Sequence, residues 1–403
     1  MSIVNHPTLQ GGDKTVQRQR GSSLQRVTLK DGSIRWRFRL DLAPDPKTGR
    51  RRQRTLTYKT EAEAIKAQAA ARNAVEEQTY IQPDRVTIAE WLATWQEVNA
   101  RTWRPATRQS YGHTLAPVIV ELGKRRLQDL RREHVEGMVR HFIKTPTRTG
   151  GPRSARSTAY ALRLLTTALD AAVAEDLIKR NPAKHVKAPA QTSKEMNAWT
   201  GEEVAAFLAH VADDDLAGGW HLTALGLRRG EVVGLRWCDV DLEAGEVHVR
   251  QSRTPAFGEV AVVPPKTKRG RRTVPLTPDA VAALRQTRQR TLLDNPVIPF
   301  RMKRDPNRLV IVNQAGEPLH PATWGHWFDQ HVKAAGLRRI RLHDVRHSAA
   351  TLLLQAGIPP VVVAGILGHS PAVLLTTYAH ALPDAKRDAV DVLAALYRGT
   401  NRA

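Results

Sequence analysis

The chain reads as a multidomain protein. A small α+β module with a three-stranded sheet comes first, then an all-α domain, then a mixed, mainly α domain with a small antiparallel sheet. Three observations predict this. Leu24–Lys30 and Ser33–Leu40 flank Asp31-Gly32, a strong turn dipeptide, and read as two strands of a hairpin. Residues 85–182 place apolar residues at helical spacing throughout. Beyond residue 197, helix starts such as Thr200-Gly201-Glu202-Glu203 and Thr277-Pro278 bracket short β-rich runs. A length of 403 residues fits two or three such domains.

Residues 1–20 are polar and aperiodic and are expected to be a disordered tail. The module at 21–80 follows. In its second strand Arg35, Arg37 and Arg39 alternate with Trp36, Phe38 and Leu40, giving one cationic and one apolar face. Arg51–Tyr58 supplies a third strand after the Pro44–Gly49 loop, and the capping box Thr60-Glu61-Ala62-Glu63 opens a helix to about Tyr80. In the domain at 85–182, Ile88, Trp91, Leu92 and Trp95 form one stripe and Leu162, Leu165, Leu169, Val173 and Leu177 another; Asn181-Pro182 is read as the end of the last helix. Arg101, Arg104, Arg108, Lys124, Arg125, Arg126, Arg131 and Arg132 line its junctions. Residues 183–197 are read as a linker and 198–403 as the third domain. There Glu246–Ser252, Val260–Val263 and Thr273–Leu276 read as strands. Helices are expected after Thr277 and over His320–Gly336, Arg341–Gly357, Ile358–Gly368 and Asp384–Tyr397, with His326 and His331 as structural or surface residues.

The formal net charge is +23, with 62 Lys and Arg against 39 Asp and Glu. Residues 1–60 alone hold 14 Lys/Arg against 4 Asp/Glu. An excess of this size spread over several segments points to a polyanion, with nucleic acid the leading candidate. A membrane surface competes, but no apolar run reaches the roughly 18–20 residues of a spanning helix, and Met1–Gly12 lacks the apolar core of a signal peptide. The single cysteine, Cys238, precludes a disulfide framework within the chain and suits a reducing cytoplasm; it is expected as a small buried apolar group. No Walker-type glycine loop and no Asp/Glu/His metal cluster stands out.

The richest chemistry lies near the C-terminus, in His343-Asp344-Val345-Arg346-His347, Leu367-Gly368-His369 and Tyr378. His343 and Arg346 are three apart in a helical segment and share a face. Arg offers a planar fork of donors that matches two phosphate oxygens. His can donate to an oxygen or move a proton near neutral pH. Tyr becomes a covalent nucleophile once its proton is removed. Together these groups can hold a phosphodiester and attack it without a metal. The pair His343 and His347 has zinc-site spacing, but a zincin carries Glu directly after its first His, where this chain has Asp344, and Arg346 would set a cation beside the metal.

These boxes resemble the C-terminal signature of the tyrosine recombinases, the phage-integrase family. Gly226-Leu227-Arg228-Arg229-Gly230-Glu231 resembles the family's first box, with Leu225 where the family usually has Thr, and Pro265-Lys266-Thr267-Lys268 resembles its lysine hairpin. The resemblance implies a catalytic set of Arg228, Lys266, His343, Arg346, His369 and the nucleophile Tyr378, supported by Glu231 and His347. Lys268 is the alternative to Lys266. It implies cutting and rejoining of duplex DNA through a 3′-phosphotyrosine, on behalf of a phage or other mobile element. The bond energy stays in the tyrosyl ester, so no cofactor is expected. The expected partners are double-stranded attachment sites, three further protomers in a tetramer, and DNA-bending or excisionase proteins, with no membrane, in the nucleoid-associated cytoplasm of a bacterium. The front module resembles an arm-type DNA-binding domain, with Arg35, Arg37 and Arg39 on the DNA, and 85–182 resembles a core-binding domain. Two other readings are an inert DNA-binding protein on this scaffold and a type IB topoisomerase.

Overall fold

The computed structural model describes residues 24–42, 49–76, 80–81, 84–146, 150–151, 153–190, 197–265 and 268–378, with scattered positions between 390 and 397. The chain divides into two compact units, Met1–Trp95 with Pro117–Ala188, and Gln96–Ala116 with Pro189–Ala403. The expected tail at 1–20 lies outside the described residues, as does most of the expected helix Asp384–Tyr397 and the middle of the 183–197 segment.

In the first unit β1 (Gln25–Thr28), β2 (Ile34–Leu42) and β3 (Arg52–Tyr58) form an antiparallel sheet in that order. The hairpin turns at Gly32, which takes the left-handed φ of +77° that an L side chain resists. Pleat alternation buries Phe38 and Leu40 while Arg37 and Arg39 stay exposed. Helix α1 (Glu61–Glu76) starts at the expected capping box, Glu63 N donating to Thr60 Oγ1 and Thr60 N to Glu63 Oε2, both 3.3 Å. It packs on β2 and β3 and buries Ala64 and Ala74.

Helices α2 (Ile88–Ala100), α3 (Pro105–Leu122), α4 (Arg132–Lys144) and α5 (Ala155–Ala174) follow. The Ile88, Trp91, Leu92, Trp95 stripe is buried, and Trp91 Nε1 donates to Ala168 O of α5 at 2.9 Å. Helix α5 ends at Ala174, earlier than Asn181-Pro182 suggested. The chain leaves through Asp176 at φ +55° and folds back. Asn181 Nδ2 then donates to Thr166 O (2.8 Å) and Asp170 Oδ1 (2.7 Å), so this asparagine braces the side of the helix and does not stop it.

The second unit contains α6 (Gly201–His210), α7 (Ala217–Ala224), α8 (Arg229–Val232), then β4 (Val240–Asp241), β5 (Glu246–Val249), β6 (Ser252–Ala256), β7 (Glu259–Val263) and β8 (Arg272–Pro275). After these come α9 (Pro278–Arg288), α10 (Phe300–Lys303), α11 (Pro321–Ala334), α12 (Leu342–Gln355), α13 (Pro360–Leu367) and α14 (Pro371–Tyr378). The run expected as one strand, Glu246–Ser252, is divided between two sheets: β5 lies between β4 and β8, while β6 pairs with β7. The capping residues Thr200 and Thr277 start α6 and α9 as expected. An aromatic core of Trp199, Phe207, Trp220, Trp324 and Phe328 sits at the centre, with Trp220 and Trp324 stacked 3.6 Å apart. Cys238 is exposed, contrary to expectation. It is the middle residue of a 3-10 turn that aims Trp237 and Asp239 inward. Among the described residues no helix is long and apolar enough to cross a membrane.

Candidate active site

The site starts where α7 ends. The chain turns at Gly226, φ +86°, and a Cβ there would stand 2.5 Å from Leu367 Cδ2, so only glycine lets this turn approach α13. The turn delivers Arg228 as the residue that caps α8. Glu231 Oε2 accepts from Arg228 N at 2.9 Å and Oε1 from Arg228 Nη1 at 2.8 Å. Glu231 is only 4% exposed, and it also accepts from Arg272 Nη2 (2.9 Å) and Nη1 (3.2 Å). Burial alone would raise its carboxyl. The Arg272 hydrogen bonds and the charges of Arg272 and Arg228 outweigh that and hold it below the ordinary carboxylate range.

Helix α12 begins at Arg341, whose N–H donates to Asp344 Oδ2 at 3.0 Å. Ser348 Oγ donates to Asp344 O (3.0 Å) and accepts from Trp199 N (2.7 Å), which ties the helix to the chain entering α6. The helix therefore turns Arg346 inward, where it is 1% exposed. Arg346 Nη1 donates to Gly226 O at 2.5 Å and Nη2 donates to Leu367 O, while Nε is buried without a hydrogen-bond partner. Burial, then the charge of Arg228, pushes Arg346 down to about 9, which leaves it charged at neutral pH.

The imidazoles are held neutral. Burial first, then neighbouring positive charge, pushes His343 down to about 4 and His369 down to about 3. His369 follows Gly368, which closes α13 in the left-handed conformation, and its Nδ1 is buried without a partner. The His343 and His347 rings lie 5.0 Å apart, and His347 Nδ1 is hydrogen-bonded to the Tyr378 hydroxyl. Tyr378 is 1% exposed; burial pushes its phenol up to about 12, against the pull of the Arg346 charge.

The structure thus brings together Arg228, Glu231, His343, Arg346, His347, His369 and Tyr378. Lys266 lies outside the described residues. The carbonyls just before it, of Pro264 and Pro265, accept from the Arg104 guanidinium at 3.1 and 3.2 Å. Lys268 opens a 3-10 turn, Lys268–Gly270. Arg35, Arg37 and Arg39 belong to the first unit. Sequence reasoning missed Arg272, which is 6% exposed and centred in the cluster. A signal existed: Arg272 and the fully buried Val274 are two apart on β8, hence on one face. Three arginines around one carboxylate, with neutral imidazole and phenol beside them, form a site for an anion and for proton movement.

This architecture is the tyrosine recombinase fold. Residues 201–384 match the family described as "Phage integrase family". The ICEBs1 integrase of Bacillus subtilis (strain 168) is 26% identical over 356 residues, which is 87% of this chain and 94% of that protein. The Tn1549 transposon integrase in complex with a circular intermediate DNA superposes with a TM-score of 0.62 at 21% identity, over 76% of this chain and 99% of that one. A lambda integrase from a tetramer bound to a Holliday junction superposes with a TM-score of 0.53 at 19% identity, over 87% of this chain and 94% of that one. The domain of residues 201–384 belongs to the phage integrase family, and the fold and these relatives support a tyrosine recombinase acting in site-specific recombination.

Proposed function

We propose that Tyr378 is the nucleophile of DNA strand cleavage and that Arg228 and Arg346 hold the scissile phosphate. The observation that carries this reading is the Tyr378 hydroxyl on His347 Nδ1, within the field of the Arg346 guanidinium. The phosphate gains negative charge as a fifth oxygen approaches. Donors placed in advance for that charge lower the barrier most. Arg228, whose side chain is 37% exposed, is the guanidinium open to an incoming oxygen, and Arg346 has an unpartnered Nε. Neutral His343 and His369 each offer one N–H. As the Tyr378 oxygen bonds to phosphorus, its proton passes to His347 and the bond to the 5′-oxygen breaks. Lys266, or Lys268 in its place, protonates the departing oxygen. The product is a 3′-phosphotyrosine, which a second 5′-hydroxyl attacks in the reverse sense, so the step needs neither ATP nor a metal.

The same reading assigns residues 21–80 as an arm-type DNA-binding domain, 85–182 as a core-binding domain and 198–403 as the catalytic domain. The substrates are double-stranded attachment sites of a phage or other mobile element, bound by a tetramer in the nucleoid of a bacterial cytoplasm, with DNA-bending or excisionase proteins as accessories. A library of nicked duplexes tests the activity. The full-length protein is expected to trap a covalent adduct with one sequence, linked through Tyr378 in a tryptic peptide. Duplex binding without any adduct would favour an inert binding protein.

A further inference from the structure

The last three carbonyls at the end of α13 are each held by a different arginine. Arg272 Nε donates to Ile366 O at 2.6 Å, Arg346 Nη2 to Leu367 O, and Arg228 Nη2 to Gly368 O at 3.0 Å. A helix end leaves such carbonyls unsatisfied and carries partial negative charge, so it attracts cations. Here it gathers three guanidiniums from segments far apart in sequence, directly before His369. Gly368 makes room for this: a Cβ there would lie 3.1 Å from Arg272 Nη1.

Of the three, Arg272 is the most completely enclosed by protein acceptors. It spends Nε on Ile366 O, Nη2 on Glu231, and Nη1 on Glu231 and Gly270 O. It has little left for a substrate. Arg228, by contrast, is aimed by Glu231, and Glu231 is shared with Arg272. We propose that Arg272 is a positioning residue for strand cleavage, acting through Glu231 to fix the direction of Arg228 and joining that pair to the helix end that carries His369. The proposal rests on the phosphate-holding role given above to Arg228.

The physical consequence is specific. Without Arg272 the buried Glu231 keeps, among the described residues, Arg228 as its direct ion-pair partner, with Arg346 acting at longer range. Its carboxylate then becomes easier to protonate and loses its hold on Arg228. A misplacement of about 1 Å at a reacting centre costs on the order of 10²-fold in rate. Arg272→Gln and Arg272→Lys are therefore expected to lower single-turnover cleavage of a nicked attachment-site duplex by about 10²-fold, with duplex binding within about threefold. Lysine fails because a point charge cannot bridge Glu231 and Ile366 O at once.

Two readouts separate this from a purely structural role. If Arg272 acts through Glu231, the double variant Arg272→Gln with Glu231→Gln cleaves within about threefold of the worse single variant; independent effects would multiply. The Arg272→Lys variant should also lose a further tenfold as pH falls from about 8 to about 6, where the wild type stays flat. Multiplying effects, a wild-type rate in either variant, or failure of both to fold would overturn the proposal. Tyr378→Phe, run in parallel, tests the underlying reading separately: an adduct with the Phe variant would overturn that reading whatever Arg272 does.

Discussion

Two regions of this molecule use the same side chain in opposite ways. On the N-terminal sheet Arg37 and Arg39 stand in solvent, opposite buried Phe38 and Leu40. In the second unit Arg272 and Arg346 are almost fully enclosed, and apart from Arg346 Nε their nitrogens donate to main-chain carbonyls and one carboxylate. An exposed guanidinium stays largely hydrated even where it touches a neighbour, as Arg37 Nε does at Gln25 Oε1 (3.2 Å), so it contributes little to stability. A buried one must be satisfied by the fold itself, and its direction is then fixed before any substrate binds. Changes in the second unit should therefore affect chemistry and folding, and changes in the first should affect binding and its salt dependence.

The sharpest test is Tyr378→Phe. One hydroxyl is removed, and the buried ring stays in its cluster with Leu374 and Val363. Duplex binding should be retained, and the covalent adduct resistant to denaturation should vanish. Denaturing gels of protein crosslinked on a nicked duplex read this directly, and an adduct formed by the Phe variant refutes the assignment.

Next in size is Arg346. Arg346→Ala should lower cleavage by roughly 10²–10³, and Arg346→Lys should recover little of it, since lysine cannot serve Gly226 O, Leu367 O and a phosphate in one plane. Unlike Tyr378→Phe, these changes should also cost stability. They strip a donor from buried carbonyls, at about 1–3 kcal/mol for each left unmade. Single-turnover rates and melting curves check both. Cleavage by Arg346→Lys near the wild-type rate would show that the planar fork is not what matters.

The contrast between the two regions also decides what could be read from sequence. The front sheet was legible because local rules specify it: Asp31-Gly32 for the turn, period-two alternation for the faces, Thr60 with Glu63 for the helix start. The boxes around Arg228, Arg346 and His369 were legible as a pattern, but their convergence on the three carbonyls of α13 was not, since each partner is remote in sequence. Arg272 shows why. It stands in a basic run with Lys268, Arg269 and Arg271, which locally reads as a solvated face. Only the pairing of β5 with β8 and the presence of Glu231, 41 residues earlier, bury it. Glu246–Ser252 looked like one strand because alternation does not say which partner each half will find. Cys238 was expected inside on residue type alone, whereas the 3-10 turn sets its direction.

A smaller effect is expected from pH. His343 and His369 are held down to about 4 and about 3 in the fold, mainly by burial. In the unfolded chain each would protonate near about 6.5. The folded form therefore binds fewer protons in this window. Stability is fully present above about 6.5 and is lost as pH falls toward 4 and 3, by at most about 1.4 kcal/mol per pH unit for His369, while the exposed His343 contributes less because solvent screens it. Melting temperatures from about pH 7 to 4.5 should fall less steeply in His343→Gln and His369→Gln than in wild type. An unchanged acid slope in both would mean that other groups govern the loss.

The smallest change in stability, and the one that bears most on the contrast, is expected from neutralising the arginine stripe, in which Arg37 and Arg39 are exposed and Arg35 is half-buried. In Arg35→Gln, Arg37→Gln and Arg39→Gln combined, Phe38 and Leu40 keep their places under α1, so the melting curve should shift by no more than surface substitutions usually allow, within about 0.5 kcal/mol per site. Binding is where the difference should appear. If the stripe lies on phosphates, each phosphate that is no longer neutralised flattens the slope of log K against log salt by about 0.9, so three of them remove about 2.7 at the arm-type sites. Binding and cleavage at the crossover core should change little, because the residues proposed to carry the chemistry all lie beyond residue 225. Footprints of wild type and the triple variant on one attachment-site DNA, taken at several salt concentrations, measure both quantities at once. Loss of core cleavage with distal protection unchanged would place these arginines in the chemistry and erase the division between the two regions; a flattened distal slope with core cleavage intact would establish it.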